Sequence, residues 1–235
     1  MRIPRIELIG YPHHVTQRGN RRQQTFFMDS DYRAYMRLVA EAKENAAVSV
    51  LAYCLMPNHV HFVVVPSEPG GLSRLFQHPH RRYARRINKR MDWQGHLWQS
   101  RFYSCPMDED HLIAVVRYVE LNPVRAGLRS NPQDWRWSSV HAHLQREDDL
   151  IVDVDPMLER VHDWGTYLSK PAPDSIIRSV RENSSSGRPA GGEAFIKLAE
   201  GVTGRRLHKR KPGPVPNRSE TDPKLGGRVR KLTPN

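Results

Sequence analysis

Cysteine is nearly absent. Cys54 and Cys105 are the only two in 235 residues, and neither has a partner close in sequence. That excludes a disulfide framework and predicts a reduced, cytoplasmic protein. Long apolar runs are also missing, with a mean hydropathy of −0.68, so no stretch reaches the ~20 residues of a membrane helix. The opening Met1-Arg-Ile-Pro-Arg5 lacks the apolar core of a secretion signal. Negative charge is the third shortage: 25 Asp and Glu stand against 37 Lys and Arg, a formal net charge of +12. Such a balance points to a polyanionic partner, a nucleic acid first of all, and says nothing about fold. The excess is concentrated at the end of the chain, where residues 205–235 hold ten Lys and Arg against two acidic residues. This segment has too few apolar residues for a core and reads as a disordered basic tail that contacts DNA. Before it, residues 146–204 read as a partly helical extension, and residues 1–145 as the main domain.

The main domain alternates in pattern. Residues 6–18 predict a strand that turns at Arg18-Gly-Asn-Arg-Arg22. Asp29 or Ser30 can cap a helix reaching about Asn45, with Tyr32, Tyr35, Leu38, Val39 and Ala42 as its apolar stripe. Residues 49–56 and 59–66 predict two further strands, broken apart by Pro57-Asn58. A helix follows from Leu72 to about Arg90, which Pro79 should kink or divide. Residues 97–105 predict a fourth strand, and Asp108 can cap a helix running to about Leu121, before Asn122-Pro123. The order β-α-β-β-α-β-α describes an α+β ferredoxin-like plait, an antiparallel sheet with two backing helices and one further helix. Later on, residues 156–169, 171–183 and 192–201 predict short helices, with Ser184-Ser-Ser-Gly187 as a linker.

The chemistry starts at His59-Val60-His61. In a strand, residues two apart share a face, so the two imidazoles lie side by side and make half of a divalent-metal site. On the helix after Asp108, Tyr118 and Asn122 are four apart and therefore neighbours. A tyrosine hydroxyl can attack phosphorus when a metal orients the phosphate, and the Asn122 oxygen is a candidate third ligand. Such a mixed nitrogen and oxygen set suits Mn²⁺ or Mg²⁺. Each residue has a structural alternative: paired histidines can pack and hydrogen-bond, Tyr118 can be core, and Asn122 before a proline can simply end the helix. Glu120 points away from Tyr118 and ranks below Asn122 as a ligand, and His13 and His14 fit structural or substrate-contact roles. For DNA contact the candidates are Arg18, Asn20, Arg21, Arg22 and Arg101, with Trp93, Trp98, Phe102 and Tyr103 available for stacking on bases. The helix bearing Arg74, Arg81, Arg82, Arg85 and Arg86 has no acidic residue between Arg74 and Arg90, which suits backbone positioning, although each arginine could equally be a solvated surface group.

Four ordered motifs carry a resemblance over about residues 1–145. Tyr11–Gly19, Cys54-Leu-Met-Pro-Asn-His-Val-His61, Trp98-Gln-Ser-Arg-Phe102 and Tyr118-Val-Glu-Leu-Asn-Pro-Val-Arg-Ala-Gly-Leu128 together resemble the single-tyrosine HUH transposases, and within them the REP-associated tyrosine transposases. The resemblance implies a metal held by His59, His61 and Asn122. It further implies that Tyr118 attacks single-stranded DNA at palindromic hairpins, leaving a 5′-phosphotyrosine and a 3′-hydroxyl that can rejoin strands. Mobile relatives of this kind are dimers and the REP-associated branch can act as a monomer, so a monomer is the expectation here, soluble and associated with the nucleoid. The tail from Gly187 also resembles that branch, but Gly213-Pro214 lacks the central arginine of its Gly-Arg-Pro groove-binding element, leaving phosphate attraction by the surrounding Lys and Arg. Two other functions fit the same residues: a hairpin-binding protein with little or no turnover, and an RNA-binding protein on the same plait, which a requirement for the 2′-hydroxyl would reveal.

Overall fold

A computed structural model describes residues 5–170 and 173–208. Its first half follows the expected order: β1 (His13–Arg18), α1 (Asp29–Lys43), β2 (Val48–Met56), β3 (His59–Pro66), α2 (Gly71–Met91), β4 (Tyr103–Pro106) and α3 (Glu109–Glu120). The strands form one antiparallel sheet in the order β2-β3-β1-β4, which is the plait. After α3 come α4 (Asn122–Arg125), α5 (Val140–Gln145), α6 (Asp155–Leu158), α7 (Trp164–Ser169), α8 (Asp174–Ser186) and α9 (Glu193–Thr203).

The two-residue period of β3 divides the molecule. Val60, Phe62 and Val64 turn towards α1 and α2, where Phe62 packs on Phe76 and Tyr35 in a dry aromatic core. His59, His61 and Val63 turn to the other face, which α3 and α8 cover. On β1 the same alternation sends Val15 to the dry side and His14, Thr16 and Arg18 to the other, since Thr16 pairs with His61 and Arg18 with His59. Gly19 ends β1, and a side chain there would start 2.2 Å from the Gln23 carbonyl oxygen. Only glycine permits the tight turn that follows Arg18.

Several sequence expectations need correction. Residues 6–12 are not strand: Gly10 turns the chain at φ +76° and its amide bonds the Pro66 carbonyl, so regular pairing begins at His13. β4 is likewise shorter than 97–105, because the Gln17 side chain, rather than a strand neighbour, takes the Ser100 carbonyl at 2.8 Å. Residues 97–99 keep only isolated bonds to the end of β1. α2 runs unbroken through Pro79, whose ring is buried against the core and so offsets the lost backbone bond. At α1 neither Asp29 nor Ser30 caps; the Asp31 carboxylate accepts from the amides of Phe27 and Met28 and is held by Arg90. Asp108 does cap α3, accepting from the His111 amide at 3.1 Å, and α3 stops before Pro123. The supposed linker at Ser184–Gly187 is the last turn of α8, closed by Gly187 at φ +76°. α5 was not anticipated. The extension is tied to the sheet: the amide of Ala190 bonds the Pro106 carbonyl, and Asp108 also accepts from the Gly192 amide at 2.8 Å. A small second core forms where Phe195, Ala199 and Leu207 meet Ile6 and Leu8. The predicted basic tail lies outside the described residues from position 209 on, Gly213-Pro214 included.

Candidate active site

On the polar face of the sheet there is a cavity of about 580 Å³. β1 and β3 supply its floor through His14, Thr16, Arg18, His59 and His61. Tyr118, Asn122 and Arg125 come down from α3 and α4, Arg181 and Ser184 close one side from α8, and Gln99 and Tyr103 complete the rim. The site residues predicted on separate elements therefore meet. Tyr118 sits edge-on to both His61 and His14, with ring centroids 5.9 and 6.3 Å away. Asn122 starts α4 rather than continuing α3, and still faces the same cavity.

The imidazoles are neutral at physiological pH. Burial lowers the His14 pKa to about 3, with the nearby His59 acting in the same direction. Burial and then the Arg18 guanidinium bring His59 down to about 4. His61 is pushed well below the usual value by burial, then by His59, His14, Arg18 and Arg181. Neutral imidazole is the form that binds a metal. His59 has Nδ1 engaged by the Asn58 side-chain oxygen at 2.6 Å, and His61 has Nδ1 engaged by His14 Nε2 at 2.9 Å, so each presents Nε2. His14 itself has no nitrogen to spare, because its Nδ1 pairs with Ser184 Oγ at 3.0 Å. His13 lies on the dry side of β1 with both nitrogens bonded, to the Leu8 amide and the Tyr11 carbonyl.

Those residues fit a divalent ion. The Asn122 amide nitrogen is buried with no hydrogen-bond partner among the described residues. A half-turn of the amide exchanges nitrogen for oxygen and would offer a ligand atom in that unpartnered position. Among the described residues no group of three or more His, Cys, Asp or Glu gathers to hold a metal; a donor set drawn from this cavity would be two imidazoles and one amide, all neutral. Glu120 is not part of it. Its carboxylate is buried on the other side of α3, accepting from Ser139 Oγ at 2.6 Å and Trp164 Nε1 at 2.8 Å and pairing with His143 Nδ1 at 2.7 Å.

Two arginines contact the tyrosine. Arg125 lies over the Tyr118 ring at 4.4 Å, and Arg181 Nε donates to the Tyr118 hydroxyl at 3.5 Å. Sequence reasoning missed both, together with the pairing role of His14 and Ser184. Arg125 was within reach of helical spacing, seven residues after Tyr118. Arg181 and Ser184, three apart on one helix face, were hidden because the serine run looked like a linker.

The candidate DNA contacts separate into groups. Arg18 is inside the site, and the 3-10 turn with Asn20, Arg21 and Arg22 stands beside it. Arg81 and Arg101 line a second cavity of about 710 Å³, and Gln99 borders both cavities. Arg74, Arg82, Arg85 and Arg86 lie on α2, behind the sheet; Arg74 is held by the carbonyls of Pro69 and Ala46, and Arg82 by Glu41. Trp98 and Phe102 are not available for stacking on bases. Both are buried, Trp98 donating to the His80 carbonyl at 2.9 Å, whereas Trp93 is 37% exposed. No helix among the described residues is long and apolar enough to cross a membrane.

Part of the chain is similar to known proteins. Residues 9–122 match the family model described as "Transposase IS200 like". The REP-associated tyrosine transposase of Escherichia coli K12 is 21% identical over 128 residues, 54% of this chain and 74% of the relative. The solved structure of a REP-associated tyrosine transposase bound to a REP hairpin superposes with a TM-score of 0.51 at 20% identity, covering 66% of this chain and 92% of that one, and so shares the fold. Residues 9–122 are thus similar to the IS200-like transposases, and this chain shares a fifth of its aligned residues with a REP-associated tyrosine transposase.

Proposed function

We propose that this protein cleaves and rejoins single-stranded DNA at palindromic hairpins, with Tyr118 as the nucleophile. The observation that carries the proposal is the setting of Tyr118, edge-on to two buried imidazoles with one arginine over its ring and another at its oxygen. The transposase relatives, and the REP hairpin in the solved neighbour, support DNA hairpins as the substrate class. In the cleavage step the Tyr118 oxygen attacks the scissile phosphorus. The tyrosine O–P bond forms and the P–O3′ bond breaks; the phenolic proton passes to water, and the departing 3′-oxygen takes one up. The downstream strand is left on Tyr118 through its 5′-phosphate. Attack by a 3′-hydroxyl reverses the exchange, and because one phosphodiester replaces another, no outside energy source is needed.

His59, His61 and Asn122 would hold Mg²⁺ or Mn²⁺, which when bound would offset the charge that builds on the phosphate oxygens. Arg181 stabilises the tyrosine oxygen as it is displaced during rejoining, since charge then returns to that atom. Arg18, Asn20, Arg21 and Arg22 are suited to phosphates of the strand entering the cavity, with Arg81 and Arg101 in the adjoining one. Arg74, Arg82, Arg85 and Arg86 form a remote basic surface that attracts the duplex without reading bases. The cavity wall from α8 belongs to the same chain, which favours a monomer, and binding of this kind would keep the protein on the nucleoid.

The test uses hairpin oligonucleotides labelled at either end, incubated with wild type and Tyr118→Phe with and without Mn²⁺ and resolved on denaturing gels. We expect a protein-linked product carrying the 3′-side fragment, lost in Tyr118→Phe by at least a thousandfold and absent without metal. Hairpin binding with no adduct across a panel of palindromes would make this a DNA-binding protein, and cleavage confined to ribose-containing strands would make it an RNA enzyme.

A further inference from the structure

We infer that Ser184 and His14 form a positioning relay that sets the tautomer of His61, so that helix α8, far outside the IS200-like segment, decides whether the metal site works. The inference rests on His61 being a metal ligand, as proposed above. Three buried groups stand in line: Ser184 Oγ is 3.0 Å from His14 Nδ1, and His14 Nε2 is 2.9 Å from His61 Nδ1. The two imidazole planes are within 1° of parallel and their centroids are 5.1 Å apart, a separation that fits a ring-to-ring hydrogen bond between in-plane nitrogens.

Only two proton arrangements satisfy that line with neutral rings. In one, the serine hydroxyl donates to His14 Nδ1, His14 Nε2–H donates to His61 Nδ1, and the single N–H proton of His61 must sit on Nε2. That nitrogen then faces the cavity as N–H and cannot bind a cation. In the other, His61 Nδ1–H donates to His14 Nε2, His14 Nδ1–H donates to Ser184 Oγ, and His61 Nε2 keeps its lone pair. The second arrangement alone makes His61 a ligand, and it depends on an acceptor at the far end of the line. Ser184 Oγ is that acceptor. Metal-bound histidines commonly fix their free nitrogen on a carboxylate or carbonyl; here a second histidine passes the demand to a serine on another element.

Removing the hydroxyl reverses the preference. In Ser184→Ala the His14 Nδ1–H would be buried without an acceptor, which is costly. His14 therefore moves its proton to Nε2, His61 is driven to the Nε2–H form, and the cavity loses a ligand. Ser184→Thr keeps an acceptor oxygen and should behave as wild type. His59→Ala removes a ligand and leaves the relay intact.

The experiment measures Mn²⁺ binding by electron paramagnetic resonance and the His61 tautomer from side-chain ¹⁵N shifts of the metal-free protein, for wild type and the three variants. We expect the Nδ1–H form of His61 in wild type, Ser184→Thr and His59→Ala, and the Nε2–H form in Ser184→Ala. The Mn²⁺ dissociation constant should rise about tenfold to a hundredfold in Ser184→Ala, return in Ser184→Thr, and be lost in His59→Ala. Wild-type Mn²⁺ affinity and an unchanged tautomer in Ser184→Ala, with His59→Ala inactive for metal, would overturn the relay and leave the metal site standing. If wild type binds no Mn²⁺, the metal reading fails by itself, and the tautomer change in Ser184→Ala still decides the relay.

Discussion

The two faces of one sheet have been put to opposite uses, and β3 shows how little separates them. Its even-numbered residues, Val60, Phe62 and Val64, build a dry core with α1 and α2, in which Phe62, Phe76, Tyr35 and Tyr83 are fully buried. Its odd-numbered residues His59 and His61, one position away each time, floor a polar cavity under α3 and α8. The dry face holds the sheet in register. The wet face then receives side chains already fixed in place, so that imidazoles, tyrosine and arginines converge without a large loop to arrange them. Stability and chemistry should therefore come apart when each face is altered.

The largest effect is expected from altering β3 one residue apart. Phe62→Ala removes a ring packed on Phe76 and Tyr53 and should cost about 3–5 kcal/mol of unfolding free energy. His59→Ala, on the half-buried wet side, should cost less than about 1 kcal/mol and abolish metal-dependent cleavage. Chemical denaturation beside a cleavage assay checks both. Equal stability losses would mean that the wet face is as much a part of the core as the dry one.

Acid should weaken the dry face next. Burial holds His13 at about 4 and His80 at about 3, against 6.5 for an exposed imidazole. Between those values the unfolded chain binds protons that the folded chain refuses, so stability is complete above about pH 6.5 and falls as pH drops towards 4. His80→Gln can keep a partner for the Tyr35 hydroxyl, 2.8 Å away in the native protein, and removes one refused proton. Its unfolding free energy should fall less steeply over that range than that of wild type, as urea titrations at a series of pH values would show. A slope identical to wild type would mean that His80 is protonated in the fold.

The sequence made the division of faces readable because it is written locally. His59-x-His61 needs only the strand period and Asp108 only the capping rule, and both expectations match the described structure; Tyr118 and Asn122, placed together by the helix period, share one cavity although Asn122 belongs to the next helix. What escaped was non-local or settled by competition. Ser184 meets His14 across 170 residues, and no spacing rule links two such positions. The fourth strand was overextended because Trp98 and Phe102 resemble strand residues, yet they are spent on the core beside α2. Pro79 was given too much weight, since buried packing outweighs a single missing backbone bond. The sequence offers the arginines of α2 as a surface for positioning the DNA backbone, but not which side of the sheet carries it; a helix backing a plait must face away from the chemistry on the opposite side.

That separation yields the smallest expected effects and the sharpest contrast. Arg181, at the wet face, donates to the Tyr118 hydroxyl over a long 3.5 Å, and Arg181→Ala should slow single-turnover cleavage at saturating DNA about tenfold to a hundredfold, less than the roughly hundredfold to thousandfold loss of a tightly bonded charge-stabilising donor. Hairpin affinity should change little. Arg85 and Arg86 are exposed on α2 behind the sheet, and replacing both with alanine should leave that cleavage rate unchanged. The double variant should instead reduce the slope of log affinity against log salt by about 0.9 per lost phosphate contact. Titrations of hairpin DNA from low to moderate salt, run beside single-turnover cleavage, distinguish the two. A slope unaffected by the double variant would turn the α2 arginines into a solvated face, and would mean that DNA stays entirely on the histidine side of the sheet.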